Sequence, residues 1–145
     1  MKFVIPGNPK GKARPIITKS GHAFTPKATV SYENWVKQCY MLSGNKERLE
    51  GQIGAHIEAF FAIPKSTSLK RHAEMLSGRI RPTKKPDIDN IVKSILDSLN
   101  EMAYKDDSQV VQLVVNKYYS DDPRVEVEIM EIGGDEICPD PSDPE

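Results

Sequence analysis

Between Pro86 and Met102 the apolar residues Ile88, Ile91, Val92, Ile95, Leu96, Leu99 and Met102 recur at spacings of three and four. That period commits the stretch to a helix with one buried face, and the rest of the chain has to supply the surface that buries it. Pro86 starts or closely precedes the helix, since its ring pre-sets φ and it has no N–H to lose. Asp89, Lys93 and Asp97 are four apart and share another face. Acidic residues mark both ends: Asp87 and Asp89 flank Ile88, and Asp106–Asp107 stand just before a new apolar run at Val110.

Carboxylates at a helix start have a plain structural use, because they cap free N–H groups and favour the dipole. The ensemble asks for more. A loop-to-strand junction such as Asp106–Asp107 can fold back beside a helix start, and carboxylates gathered together repel unless a proton or cation intervenes. Asn90 adds a neutral oxygen, and Lys93 a cation one turn on. Hard oxygen ligands suit magnesium, so the pattern points to a divalent-metal site.

The string DIDNIVKSILDSL followed by YKDDSQV resembles the signature of RusA-type Holliday junction resolvases. The similarity extends from about Lys2 to Ile132 and is specific over Asp87–Val110. It implies that Asp87, Asp89, Lys93 and Asp107 form the catalytic centre, with Asp87, Asp89 and Asp107 holding Mg2+ (Mn2+ substituting) and Asp106 as a further ligand. Lys93 then stabilises charge on the phosphorane-like centre or orients water; its structural alternative is an i, i+4 ion pair with Asp89 or Asp97. Asp97, two turns from Asp89, is expected to lie too far away for direct work. The resemblance also implies a homodimer acting on branched DNA, since a four-way junction has two-fold symmetry. The chain departs from some relatives in having Pro86 where they carry a basic residue.

The formal net charge of −1 conceals a division. Residues 1–85 hold 16 Lys/Arg against 5 Asp/Glu, whereas residues 86–132 hold 4 against 11. A cationic half beside an acidic cluster suits a polyanion held against a metal centre. Candidate DNA contacts are Lys10, Lys12 and Arg14 in the loop PGNPKGKARP, and Lys70, Arg71, Arg79, Arg81, Lys84 and Lys85 in a basic insertion. Two cysteines, Cys39 and Cys138, make no disulfide framework, no apolar run approaches the roughly 20 residues of a membrane span, and no signal-peptide pattern opens the chain. A cytoplasmic protein with no membrane partner is expected.

The remaining elements follow from local pattern. Lys2–Ile5 reads as a strand, residues 16–18 and 22–24 as a small hairpin, and Thr25 as the cap of a helix running to about Ser43 with Tyr32, Trp35, Val36, Cys39 and Leu42 on one face. Ile53–Ile63 alternates as a strand, its outer His56 being a surface or hydrogen-bonded residue. Ser68 caps a short helix through Leu76, and Arg79–Lys85 is expected to be loose without DNA. Val110–Tyr119 and Arg124–Ile132 read as an antiparallel hairpin around Asp121–Asp122, which are taken as turn formers. The predicted fold is α+β, a small mixed sheet with helices mainly on one face, over residues 1–132, followed by an acidic, disordered tail at 133–145. Other readings are a metal-dependent nuclease of other branched DNA or RNA, and a DNA-binding regulator with an inert acidic cluster.

Overall fold

The computed structural model describes residues 1–45 and 47–133; beyond Gly133 the expected tail, with Cys138, lies outside the described residues. Strands β1 (Lys2–Pro6), β2 (Ile16–Ile17) and β3 (Ala23–Phe24) precede helix α1 (Lys27–Leu42) and strand β4 (Ile53–Ala62). Helices α2 (Leu69–Leu76) and α3 (Ile88–Ser98) then lead through a 3-10 turn, Asp107–Gln109, to β5 (Val110–Ser120) and β6 (Arg124–Glu131).

The main sheet has the order β1-β6-β4-β5, and β2 and β3 form a separate ribbon. Here the expected hairpin fails. β5 does not pair with β6; it runs parallel to β4, with Ile57 opposite Val115 and Phe61 opposite Tyr119. β6 lies on the other side of β4, antiparallel to it and to β1. The α2–α3 crossover returns the chain to the end where β4 began, which makes β5 parallel. Burial explains the order. β6 alternates cleanly, with Val125, Val127 and Ile129 buried, and takes the interior place; β5 leaves Val111, Leu113 and Val114 exposed and takes the edge.

One face of this mixed sheet packs against α1 and α3. Phe3, Ile5, Ile57, Ala59, Phe61, Val125, Val127 and Ile129 meet Tyr32, Val36, Cys39 and Tyr40 from α1 and Ile91, Ile95 and Leu99 from the α3 region. Burying these side chains is the main favourable term in the fold. Three local expectations need correction. α1 is preceded by Pro26 with no side-chain cap, so Thr25 does not cap it. Leu42 is 80% exposed and Trp35 38% exposed, its indole N–H donating to the Pro6 carbonyl at 3.0 Å, while Tyr40 takes the core place. Ile88 is 43% exposed, so the buried stripe of α3 begins at Ile91. Ser68 does cap α2, accepting from the Arg71 N–H at 3.3 Å. Among the described residues no helix is long and apolar enough to cross a membrane.

Candidate active site

Helix α3 is the spine of the site. Asp87 occupies its N-cap position, its carbonyl accepting from the Ile91 N–H at 3.0 Å while its carboxylate makes no cap bond. A cap carboxylate normally bonds a free N–H; this one is exposed and left open. Asp89 is exposed in the first turn. The basic loop is tied to this helix from the side: the Lys12 N–H donates to the Asn90 carbonyl at 3.0 Å, and the buried Ser94 hydroxyl bonds the Lys10 carbonyl at 2.9 Å. Gly11 is where the two segments touch. A Cβ there would lie 2.9 Å from the Cβ atoms of both Asn90 and Pro86, too close for any side chain. The close approach leaves an open cleft of about 530 Å³, lined by Lys10, Gly11, Lys85, Pro86, Asp87 and Asn90 among others.

At the other end of α3 the chain turns back. Tyr104, fully buried, donates its hydroxyl to the Leu96 carbonyl at 2.5 Å, and the Asp107 N–H donates to Asn100 Oδ1 at 2.8 Å. These bonds dock the Asp106–Asp107 turn on the helix. Asp106 is occupied as a cap: its carboxylate accepts from the Ser108 N–H at 3.2 Å, and Gln109 Oε1 accepts from the Asp106 N–H at 3.1 Å. The Ser108 bonds hold the Asp106 carboxyl below the usual carboxylate range.

The turn brings Asp107 against Asp97 and Lys93. Burial pushes the Asp107 carboxyl up, and the neighbouring Asp97 and Asp106 charges push it further, against the pull of Lys93. Asp97 moves the other way. Burial alone would raise it, but Lys12, bonded at 2.8 Å, and Lys93, at 3.4 Å, hold it below the ordinary range. Two carboxylates this close cannot both ionise freely. The two lysines favour the charged form of Asp97, and burial with the neighbouring carboxylates disfavours the charge on Asp107.

The expected fold-back of Asp106–Asp107 beside the helix start is not what the chain does: Tyr104 and Asn100 dock the turn at the C-terminal half of α3, and the sequence-predicted residues fall into two groups along it. Asp107, Asp106 and Lys93 gather at its C-terminal half, joined by Asp97. Asp87 and Asp89 stand at its start, Asp89 about 12 Å along the axis from Asp97 at 1.5 Å per residue. Among the described residues, no three Asp, Glu, His or Cys side chains converge on a single metal-sized point. The available donors are nonetheless all hard oxygens, the chemistry magnesium prefers, and the crowded Asp97–Asp107 pair is what a cation would relieve.

The candidate DNA contacts divide as well. Lys10, Arg14, Lys70, Arg71, Arg79, Lys84 and Lys85 are exposed, and among the described residues none lies in an ion pair. Lys12 must be corrected: it is half-buried and paired with Asp97 at 2.8 Å and Glu33 at 3.1 Å, so it braces the helix instead of offering a free charge. Arg81 is exposed but tethered, its Nε donating to the Lys117 carbonyl at 2.8 Å and its Nη2 to Asn116 Oδ1 at 2.9 Å. Within Arg79–Lys85, Arg81 and the Lys84 carbonyl are hydrogen-bonded to β5.

Asp97 and Lys117 escaped the sequence reading. Asp97 lies two turns from Asp89 but only one turn from Lys93. Lys117 interrupts the apolar parity Val115–Lys117–Tyr119, a lone cation on the core-facing side of a strand; burial lowers its ammonium pKa while the nearby Asp87 charge raises it. Asp121, taken as a turn former, also bonds His72 Nε2 at 2.8 Å, and His56 lies 3.2 Å from Glu58 as a hydrogen-bonded surface residue.

Residues 6–130 match the family model described as Endodeoxyribonuclease RusA. The uncharacterized protein YqaN of Bacillus subtilis (strain 168) is 36% identical over 137 residues, covering 91% of this chain and 96% of that protein. The crossover junction endodeoxyribonuclease rusA of Lactococcus phage r1t is 39% identical over 51 residues, 34% of this chain and 39% of the phage protein.

Proposed function

Because this chain belongs to the RusA endodeoxyribonuclease family, we propose that it is a Mg2+-dependent nuclease that resolves four-way DNA junctions by paired nicks. The reading places Asp87, Asp89, Lys93 and Asp107 in the catalytic centre, with Asp87, Asp89 and Asp107 as metal ligands and Asp106 as an additional one. The observation that supports it is the docking of the Asp107 turn on α3 beside Lys93, which stands one helical turn from Asp89, fixed by the Asn100 and Tyr104 hydrogen bonds. When bound, the ion supplies an acidified water and a polarised phosphoryl oxygen.

The protein's own groups divide the remaining work. Burial and the neighbouring Asp97 disfavour the bare charge on Asp107, which a bound cation would relieve. Lys93, with its side chain 62% exposed, reaches from Asp97 toward the same side as Asp89 and neutralises charge that builds on the phosphate. Lys12 holds Asp97 ionised and in place. Lys10 and Lys85, on the cleft beside Asp87, bind the phosphates that flank the scissile bond, with Arg14, Lys70, Arg71, Arg79, Arg81 and Lys84 extending the electrostatic track. Two such centres on a C2 homodimer match the symmetry of a junction, and the cytoplasm, where DNA recombination takes place, is the proposed location.

The test is a substrate panel of four-way junction, fork, flap, duplex and RNA hairpin, each incubated with the purified chain with and without Mg2+ or Mn2+. The proposal expects symmetric nicks in the junction that require the metal. Metal-dependent cutting of forks or RNA in preference to the junction contradicts the junction assignment. Binding without nicks under any metal contradicts the enzymatic one.

A further inference from the structure

On β4 and β6 the core-facing positions are apolar, and on β5 the same face carries Val115, Lys117 and Tyr119. A lysine there costs free energy to desolvate unless its ammonium is hydrogen-bonded or reaches water, and Lys117 is partly exposed. Its ammonium is held in a definite place: Nζ donates to the Lys84 carbonyl at 2.7 Å and sits 5.0 Å from the Phe61 ring centroid. Arg81 is held in the same manner on the neighbouring residues. It bonds the Lys117 carbonyl and the Asn116 side chain, and its guanidinium lies 4.5 Å over the Tyr118 ring. Lys84 Nζ stands 5.8 Å from the Tyr119 ring.

These three cations differ from the ion-paired ones in what holds them. Lys2, Lys12, Arg48 and Arg124 each have a carboxylate oxygen within ion-pair distance. Arg81, Lys84 and Lys117 are positioned by carbonyls, an amide and aromatic faces, and among the described residues none has a carboxylate that close. Neutral partners fix a cation without cancelling its charge. The segment that carries Arg81 and Lys84 leads directly to Asp87, whose field reaches Lys117 on β5.

We propose that Lys117, together with Arg81 and Lys84, forms a phosphate-binding rail along the β5 edge that grips the DNA backbone as it leaves the cleft at Asp87. The ligand rests on the nuclease reading above; the rail itself rests on the geometry of the three cations. A rail of this kind makes Lys117 a backbone contact, uniform across sequences and sensitive to salt.

The experiment measures affinity of the metal-free protein for a fluorescent four-way junction by anisotropy between 50 and 200 mM salt, using the parent chain, Lys117→Gln, Lys117→Arg, Arg81→Gln and Lys2→Gln. Each lost duplex phosphate contact flattens the slope of log K against log salt by about 0.9, or about 0.7 for single-stranded DNA. The Lys117→Gln and Arg81→Gln proteins are therefore expected to lose about threefold less affinity over that range than the parent. Lys117→Arg restores the parental slope, and Lys2→Gln, paired with Glu128 elsewhere, leaves it unchanged. Parental slopes in both Lys117→Gln and Arg81→Gln overturn the rail, even if their melting temperatures fall, because a purely structural cation–π ladder affects stability alone. If Lys117→Gln does not fold, the exposed Arg81→Gln decides. Flattened slopes in a protein that never nicks sustain the rail and sink the nuclease reading; parental slopes in a protein that nicks do the reverse.

Discussion

The two ends of α3 carry similar residues and treat them oppositely. At the C-terminal half, charge is held in contact: Asp97 is gripped by Lys12 and Lys93, Asp106 caps a turn, and Asp107 is pressed against Asp97. At the N-terminal end, charge is left open: Asp87 caps nothing, Asp89 is exposed, and Lys10 and Lys85 line a cleft without acidic partners among the described residues. The braced end fixes geometry, while the open end is free to receive a ligand. A site that must bring a polyanion to a metal needs both, because rigidity without free charge binds nothing and free charge without rigidity places nothing.

The largest expected effect breaks the open end. Asp87→Asn leaves junction binding intact or stronger while reducing nicking by at least about a hundredfold, the scale seen when one charge-stabilising group is lost. Gel assays of binding and cleavage on the same labelled junction check both halves of that statement. Next comes the seam between loop and helix. Gly11→Ala forces a Cβ into contacts of 2.9 Å with Asn90 and Pro86, and is expected to cost about 1–3 kcal/mol as overpacking. Thermal unfolding reads that cost, and nicking falls with it because Lys10 and Asp87 no longer face one cleft.

A smaller change tests the braced end. Lys12→Gln strands Asp97 and Glu33 and is expected to lower stability by about 1–3 kcal/mol near neutral pH. The sign with pH follows from the shifts. Asp97 is depressed, so its contribution is present above the unfolded carboxylate range and lost as pH falls through its folded pKa; Lys12 is raised, so its share persists until the pH rises through its own folded pKa. The variant should therefore lose stability at pH 7 and converge on the parent in acid. Urea titrations across that range show whether the two curves meet. The smallest effect is Asp107→Asn without metal. Asp107 is raised, so its ionisation opposes folding as pH climbs past the carboxylate range, and the amide removes that opposition. A gain of up to about 1 kcal/mol is expected at pH 7, visible as a higher melting temperature of the metal-free protein.

Much of this arrangement could be read from residues. The apolar spacing from Ile91 to Leu99 located the spine, and the alternations in β4 and β6 located its support. What escaped was non-local. Nothing in Val110–Tyr119 and Arg124–Ile132 distinguishes a hairpin from two strands flanking a third, because both obey the same alternation; exposure of Val111, Leu113 and Val114 decides it only in three dimensions. Lys12 looked like its neighbours Lys10 and Arg14, and its capture by Asp97 depends on the close approach at Gly11. Distance along the helix axis separates Asp97 from Asp89, but the turn held by Tyr104 and Asn100 brings Asp107 down to it.

The central claim is that Asp107 shares its metal with the carboxylates at the start of α3. Anomalous diffraction from a crystal of the junction complex soaked in Mn2+ tests it most directly. The account predicts a manganese peak bonded to Asp107 and to at least one of Asp87 and Asp89. A peak confined to Asp97 and Asp107, alongside an Asp87→Asn protein that nicks as fast as the parent, would contradict it.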